Sequence, residues 1–266
     1  HRFGNFPSGS VAYIISQERF FEPLSQYINF LKFRASYGSL GNQDVANYLY
    51  VETLPISSRL AYILDFDRPN FAGMPGISSP TLTWEKVRTA NFGADISFLK
   101  NRLTGSFDYF VRKTLDMLGP AESLPALLGT AVPQSNNATL RTKGFELSLR
   151  WRDQIQQFQY SVEFMLADNI SKVLDYYNPQ GILSAPFYKG KYIGEIWGYK
   201  TAGLFQSDQE AQEVDQSYLS KEPWRAGDVH YTDLNSDNKI DIGKNTVDDH
   251  GDLMIIGNST PRYSYS

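Results

Sequence analysis

The stretch NFGADISFLKNRLTGSFDYFVRKT, residues 91–114, contains two segments in which apolar and polar side chains alternate. In the second segment Phe107 lies on one face and Asp108 and Arg112 lie on the other, with Phe110 as the one exception. A period of two is typical of a β-strand with one apolar and one polar face. The Lys-Asn pair between the segments is short enough for a hairpin turn. The stretch therefore predicts two antiparallel strands.

The same alternation recurs along the chain, for example in LKFRASY at 31–37, GFELSLRW at 144–151 and FQYSVEFML at 158–166. It predicts an all-β fold. One short loop helix is expected at 207–219, with Ser207 as its N-cap. Strands are expected at 6–15, 28–38, 84–99, 102–117, 140–152 and 158–173, with others near 199–206, 228–233 and from 263 onward.

Composition removes several classes of protein. The 25 basic and 29 acidic residues give a net charge of -4 without a basic cluster, which excludes a nucleic-acid partner. The chain has no cysteine, so disulfide scaffolds and zinc-thiolate sites are excluded. No apolar run approaches the roughly 20 residues of a membrane helix. Membrane β-strands are not excluded, because their residues alternate and leave only a weak hydropathy signal.

The connections between the predicted strands alternate in length. Those at 100–101 and 153–157 are short, whereas those at 41–83 and 119–138 are long and rich in Pro, Gly, Ser and Asn. Outer-membrane barrels have short periplasmic turns and long extracellular loops, and soluble domains seldom contain structureless loops of that length. The alternative is a soluble antiparallel sheet with one wet face, which is commoner among β proteins in general.

The alternating segments resemble a known family. LTWEKVRTANFGADISFLKNRLTGSFDYFVRKTLDML, residues 82–118, resembles the barrel signature of TonB-dependent outer-membrane transporters, with its Trp-Glu, its Asn-Phe-Gly strand and its tight Asn-Arg-Leu turn. Residues 20–44, 142–151, 227–241 and 248–266 are similar to the SusC/RagA branch in particular. The resemblance covers most of the chain.

The resemblance implies an antiparallel transmembrane β-barrel segment, part of a 22-stranded barrel toward its C-terminal end. Residues 1–266 are then expected to be a partial barrel domain, without the plug domain and the final strands. It also implies import of oligosaccharides, or of peptides, across the cell outer membrane. The implied partners are TonB, contacted through a region absent from this chain, a SusD-like lipoprotein, and outer-membrane lipid.

On this interpretation the polar faces of the strands line the lumen. An aromatic ring can also stack on a sugar, so aromatic residues of the loops are candidates for contact with the substrate or with the lid lipoprotein; packing within the loops is the alternative. The contact candidates are Tyr62, Phe66, Trp197 and Trp224. The predicted lumen-facing residues include Lys32, Arg34, Asp95, Asp108, Glu146, Arg150 and Glu163.

The stretch GDVHYTDLNSDNKID, residues 227–241, follows the first half of an EF-hand calcium loop. Asn238 stands where the sharp turn prefers Gly, and Lys244 stands where a bidentate Glu belongs. A hydrated turn in which Asp and Asn bond their own backbone is the alternative. The possible Ca²⁺ ligands are the side chains of Asp233, Asn235, Asp237 and Asp241 and the backbone carbonyl of Lys239.

No nucleophile elbow, P-loop or dinucleotide motif occurs, so an enzyme is not predicted. Asp65 and Asp67, with Trp84 and Glu85, could form a glycosidase pair, but loop salt pairing explains them better. No cofactor is required, apart from the possible Ca²⁺. The alternative from another class is a secreted carbohydrate-binding β-sandwich with a structural calcium loop, which would explain the aromatic residues but not the long strands.

Overall fold

A computed structural model describes residues 4–42, 54–58, 63, 66, 68–73, 75–77, 82–120 and 134–266. Among them are a short α-helix, α1 (Glu210–Glu213), and two 3₁₀ helices, Ile15–Gln17 and Arg19–Leu24. None of the helices in these ranges is long and apolar enough to cross a membrane. The strands are β1 (Ser8–Ile14), β2 (Ile28–Asn42), β3 (Ile56–Ser57), β4 (Phe71–Ala72), β5 (Glu85–Phe98), β6 (Leu103–Pro120), β7 (Gln134–Ile155), β8 (Phe158–Asp175), β9 (Glu195–Tyr199), β10 (Thr201–Leu204), β11 (Val229–Tyr231), β12 (Leu253–Asn258) and β13 (Ser264–Tyr265).

Seven strands form one antiparallel sheet in the order β1-β2-β5-β6-β7-β8-β13. Five of its strands contain 14 to 22 residues, whereas strands of globular proteins usually contain 3 to 10. This confirms the predicted all-β, antiparallel barrel segment. The β-sandwich alternative was wrong, because the long strands belong to one continuous sheet rather than to two sheets packed face to face.

The register joins the alternating segments into continuous rows, because directly paired residues of antiparallel strands point to the same face. Most of the large apolar side chains in these rows are exposed, including Phe33, Phe92 and Phe107. We call this apolar surface the outward face and the polar surface of the same sheet the lumen face. One outward row consists of Tyr13, Phe33, Ala94, Phe107, Leu147, Leu166 and Tyr265.

Phe110, the exception to the alternation, lies on the lumen face opposite Gly144. A Cβ atom at Gly144 would lie 2.6 Å from the Phe110 ring and 2.7 Å from the carbonyl oxygen of Asp168. The ring therefore occupies space that only a glycine leaves open. An aromatic residue thus replaces a polar one on this face because its cross-strand partner has no side chain.

Two short turns lie at one end of the sheet, between β5 and β6 and between β7 and β8. Leu99, Lys100 and Asn101 have φ values of 51°, 58° and 67°, and Gln156 has a φ of 55°. The side-chain oxygen of Asn29 accepts a hydrogen bond from the Lys100 N–H at 2.6 Å and so holds the first turn. Short turns are typical of the periplasmic end of a barrel, so we call the opposite end of the sheet the outer end.

The predicted ends of three strands were wrong, and one of them is β2, which continues to Asn42 instead of ending at residue 38. The connection expected at 119–138 is shorter, because β6 continues to Pro120 and β7 begins at Gln134. The pairing crosses a bulge between Thr114 and Met117. Beyond the bulge the Asn136 side chain donates hydrogen bonds to the carbonyl oxygens of Asp116 at 2.6 Å and Thr83 at 3.0 Å. These bonds extend the ladder through residues that look like a loop in sequence.

The predicted helix at 207–219 was too long, since α1 covers only Glu210–Glu213. Its start is close to the prediction, because the Ser207 hydroxyl accepts a hydrogen bond from the Glu210 N–H at 3.1 Å. The helix stops because Asp215 pairs with a distant segment. The Asp215 N–H donates to the carbonyl of Asn238 at 2.9 Å, and the Ile240 N–H donates to the carbonyl of Asp215 at 2.8 Å.

Residues 176–263 connect β8 to β13 at the outer end of the sheet, and we call them the loop module. Its centre holds Phe205 and Ile240, which are 1% and 0% exposed. Gln216 is also buried: its amide donates to the Val229 carbonyl at 3.1 Å and accepts from the Tyr231 N–H at 2.9 Å. The module is a packed unit with its own small core.

Candidate functional site

The lumen face carries a group of charges held across three strands. The guanidinium of Arg34 on β2 donates to both carboxylate oxygens of Asp95 at 2.9 and 3.0 Å and to Asp108 Oδ2 at 2.9 Å. Gly93 lies between Arg34 and Asp108 in the register. Because Gly93 has no side chain, Arg34 crosses β5 to reach a carboxylate two strands away.

A second charged pair lies nearer the short turns. Arg150 Nε donates to Glu163 Oε2 at 3.0 Å, and the Arg150 terminal nitrogen contacts the same oxygen. The Ser148 hydroxyl donates to Glu163 Oε1 at 3.2 Å. The register places all seven predicted lumen-facing residues on one face, as expected: Lys32, Arg34, Asp95, Asp108, Glu146, Arg150 and Glu163. This face can contact a polar solute without being exposed to lipid.

The Asp-rich stretch forms a tight loop in which side-chain oxygens accept hydrogen bonds from the loop's own backbone. Asp233 accepts from the N–H groups of Ser236 at 2.6 Å and Asn238 at 2.8 Å. The side chain of Asp237 accepts from the Lys239 N–H at 2.8 Å, and that of Asn235 accepts from the Asp237 N–H at 3.1 Å. Asn238 has a φ of 60°, so it adopts the left-handed conformation that the turn requires.

Asp241 lies at the end of this loop, beside a lysine. Lys239 Nζ lies 2.7 Å from Asp241 Oδ2, and the Gly243 N–H donates to Asp241 Oδ1 at 2.7 Å. The lysine, followed by the Gly243 N–H, lowers the pKa of Asp241, and the carboxylate raises the pKa of Lys239. The hydrogen bonds of this loop match the Asx-turn alternative. Within the described ranges, no group of three or more His, Asp or Glu side chains is arranged to hold a metal ion.

Calcium binding by Asp233, Asn235, Asp237, Asp241 and the carbonyl of Lys239 stays a prediction. A calcium ion would have to replace the Lys239 ammonium beside Asp241 and take oxygens that now accept backbone N–H groups. Isothermal titration of the full-length protein tests it. Calcium uptake that the double variant Asp233→Ala, Asp237→Ala abolishes would support the metal site. The absence of uptake by the unchanged protein would remove it.

Asp252 fixes the Asp-rich loop from beneath. It is 0% exposed, and its two oxygens accept hydrogen bonds from the N–H groups of Leu234 at 2.7 Å and Asp241 at 3.0 Å. These bonds hold both ends of the loop. Asp252 lies eleven residues after Asp241 in the sequence, and the structure brings it back against the loop.

Asp252→Ala is expected to loosen the Asp-rich loop, because it leaves the N–H groups of Leu234 and Asp241 without acceptors. An unsatisfied buried donor costs about 1–3 kcal/mol, so amide exchange at these two positions should accelerate by roughly 5- to 150-fold. Hydrogen exchange read by mass spectrometry measures this. Asp248→Ala is the matched control, since Asp248 is exposed. Equal exchange in both variants would contradict the assignment.

Two of the four predicted contact aromatics are bound into the loop module. The indole N–H of Trp197 points to the Tyr188 hydroxyl and to Glu195 Oε1, both at 3.0 Å, and Tyr188 also bonds Glu195. Burial, followed by the hydrogen bond to Glu195, raises the pKa of Tyr188. The Trp224 indole donates to the Gln216 carbonyl at 3.1 Å.

The other two contact aromatics differ. Phe66 is 100% exposed. Tyr62 lies outside the described residues, and so do Asp65 and Asp67 of the carboxyl pair considered above. Contact of Tyr62, Phe66, Trp197 and Trp224 with a substrate or a lid stays a prediction. For the two tryptophans the structure also shows the packing role that was the alternative.

The chain is similar to a family of known proteins and to several of its members. Residues 4–264 match the family described as TonB dependent receptor-like, beta-barrel. The chain is 29% identical over 279 residues to TonB-dependent receptor P3 of Formosa agariphila, covering 99% of this chain and 26% of that protein. It is 26% identical over 175 residues to TonB-dependent receptor SusC of Bacteroides thetaiotaomicron, covering 65% of this chain and 17% of that protein.

The fold is also found among solved structures. The RagAB peptide importer in its 'open-open' state superposes with a TM-score of 0.70 at 18% identity, over 98% of this chain and 26% of that chain. The chain thus spans about a quarter of the length of the first of these relatives and of the RagAB chain. With the seven-stranded sheet and its two contrasting faces, the match over nearly every residue shows that the chain belongs to the TonB-dependent receptor-like β-barrel family.

Proposed function

We propose that this chain forms part of the wall of an outer-membrane importer that takes up oligosaccharides and is energised through TonB. The observation that carries the proposal is the division of one continuous sheet into an exposed apolar face and a charged face. Lipid accommodates the first and a water-filled lumen accommodates the second. That residues 1–266 belong to a longer barrel domain with a plug is part of the same proposal.

The dimensions of the outward face support a membrane position. Along β7, the apolar outward-facing residues run from Trp151 at the short-turn end to Phe145, and Lys143 and Arg141 follow on the same face, with Arg141 ten residues from Trp151. At about 3.3 Å per residue and a tilt of about 40°, this distance corresponds to a height of roughly 25 Å. The apolar band of outer-membrane barrels has a height of about 25 Å.

Oligosaccharides are the proposed substrate class, since exposed rings such as that of Phe66 offer flat surfaces on which sugars stack. Peptides are the second candidate. The RagAB structure is that of a peptide importer, but at 18% identity that likeness speaks only for the fold. The charged lumen side chains Arg34, Asp95 and Asp108 suit either class, since both carry many hydrogen-bonding groups.

A SusD-like lipoprotein is the proposed lid at the outer end. The loop module lies at that end and exposes apolar side chains that a covering protein would bury. Leu204 and Tyr218 are each 53% exposed, and Leu234 is 42% exposed. Such exposed apolar residues favour a protein contact there. The TonB contact is proposed for a part of the importer outside this chain.

Uptake by cells tests the proposed function. A strain lacking the gene, and the same strain complemented with it, receive fluorescent oligosaccharides or fluorescent peptides of similar size. We expect the complemented strain alone to take up oligosaccharides, and a protonophore or the loss of TonB to stop that uptake. Uptake of peptides alone would move the substrate class to peptides. Equal uptake by both strains would refute import by this protein.

A further inference from the structure

Four basic residues form a row across the outward face at the outer end of the sheet. The register pairs Arg88 with Lys113, Lys113 with Arg141, and Arg141 with Lys172. They lie on β5, β6, β7 and β8 in turn, and on the same face as Phe107. We call these four residues the basic row.

The basic row is not neutralised by acidic side chains of the described part of the chain. There, no hydrogen bond or ion pair joins Arg88, Lys113, Arg141 or Lys172 to a carboxylate, and Lys172 Nζ lies 4.9 Å from the centre of the Tyr192 ring. Neighbouring strands lie about 4.8 Å apart, and like charges directly opposite one another destabilise a sheet. A bound anion would offset this repulsion.

A concavity of about 290 Å³ opens beside the basic row. Asp168 also lines it, but its carboxylate accepts a hydrogen bond from Arg262 Nε at 2.6 Å and is therefore paired. The concavity thus combines three cations with an apolar wall. Its basic residues are Arg141, Lys143 and Lys172, and its apolar residues include Tyr109, Phe145 and Ile170.

An apolar groove of about 380 Å³ adjoins this concavity, and Tyr109 lines both. The groove crosses the outward face from β6 to β1, on the short-turn side of the basic row, and is lined by residues such as Val11, Phe33 and Phe92. A ligand that fits both features has an anionic head and long hydrocarbon chains. The head would meet the cations at the outer end, and the chains would lie along the groove.

We propose that the basic row and Lys143 bind the phosphate groups of a lipid in the outer leaflet of the membrane, while its acyl chains cover the groove beside Tyr109. The proposal rests on the outer-membrane position proposed above. At a height of roughly 25 Å above Trp151, the row lies where the apolar band ends and lipid head groups begin. Arg and Lys side chains bind phosphate through charge-assisted hydrogen bonds, and basic clusters at membrane interfaces recognise anionic head groups.

The test uses the full-length protein in nanodiscs and lipid A as the probe, either with its two phosphates or enzymatically dephosphorylated. The test variant is Lys113→Gln, Arg141→Gln, Lys143→Gln. The matched control, Lys100→Gln, Arg112→Gln, Lys189→Gln, also removes three positive charges, all of them exposed. In the control they lie in a short turn, on the lumen face and in the loop module. Heat-modifiable migration in gels verifies that each variant has folded as a barrel.

The unchanged protein and the control are expected to bind the phosphorylated lipid more tightly than the dephosphorylated one. Each removed charge should weaken binding about fivefold, so the test variant should lose roughly a hundredfold in affinity. Equal affinity of the unchanged protein for both lipids would overturn the proposal, and so would a folded test variant that binds as well as the control. Displacement of the lipid by millimolar inorganic phosphate would also overturn it, in favour of a soluble anion.

The comparison of the two lipids needs no variant, so the proposal can be refuted even if the test variant does not fold. The experiment also distinguishes failure of the lipid site from failure of the proposed import. A protein that binds phosphorylated lipid A but imports nothing supports the lipid site and counts only against import. A protein that imports and does not distinguish the two lipids refutes the lipid site alone.

Discussion

Leu147→Arg is expected to lower the stability of the folded barrel by about 2–4 kcal/mol, because it places a charge in the middle of the lipid-facing band. Leu147 lies in the outward row that contains Phe107 and Leu166. It is four residues from Trp151, which corresponds to a height of roughly 10 Å in a band of about 25 Å. Unfolding by urea from lipid vesicles, followed by tryptophan fluorescence, measures the change.

The neighbouring residue supplies the control. Glu146 is exposed on the lumen face and lies beside Asp108 in the register, so Glu146→Arg adds an arginine where water and a carboxylate are at hand. We expect this variant to assemble normally and to unfold within about 0.5 kcal/mol of the unchanged protein. Equal losses for the two adjacent substitutions would contradict the assignment of the faces.

Gly93→Ala is the second change expected to have a large effect. A Cβ atom at this position would lie 2.6 Å from Asp108 Oδ1 and 2.8 Å from the guanidinium carbon of Arg34. The methyl group therefore occupies the path along which Arg34 reaches Asp108. Both atoms lie at the ends of flexible side chains that can move, so the expected loss of about 1–3 kcal/mol comes from the separation of Arg34 from Asp108. The same unfolding experiment measures the loss.

Gly9→Ala is the matched control for Gly93→Ala, because a Cβ atom at Gly9 has nothing within 4 Å. Alanine there should leave stability unchanged or raise it slightly, since glycine weakens a strand. The loss at Gly93 should also shrink in an Arg34→Ala background, in which the crossing side chain is gone. A loss that stays the same without Arg34 would show that the clash lies elsewhere.

Much of the sheet could be predicted from the sequence, because a strand with one apolar and one polar face can be recognised from the alternation of its own residues. The alternation around Phe107 and Leu147 predicts both the strands and the side of the sheet on which each residue lies. The strand ends and the helix at 207–219 were less accurate, since distant partners decide them. Asn136 extends the sheet by bonding Thr83, and Asp215 ends the helix by pairing with Asn238.

The candidate sites were also predictable only in part. The alternation alone predicts that the charged residues share the lumen face, but the crossing of Arg34 to Asp108 over Gly93 depends on the register. The basic row cannot be recognised from the sequence, because its four residues lie far apart along the chain, each on a different strand. The charge count of the whole chain, which is slightly negative, also hides it.

The contact between Phe110 and Gly144 makes two distant positions dependent on each other. A larger residue at 144 has no room while the ring of Phe110 covers the site. Evolutionary drift at one position is therefore constrained by the other. In an alignment of relatives with this register, an aromatic residue at 110 should occur together with glycine at 144, and the two should change as a pair.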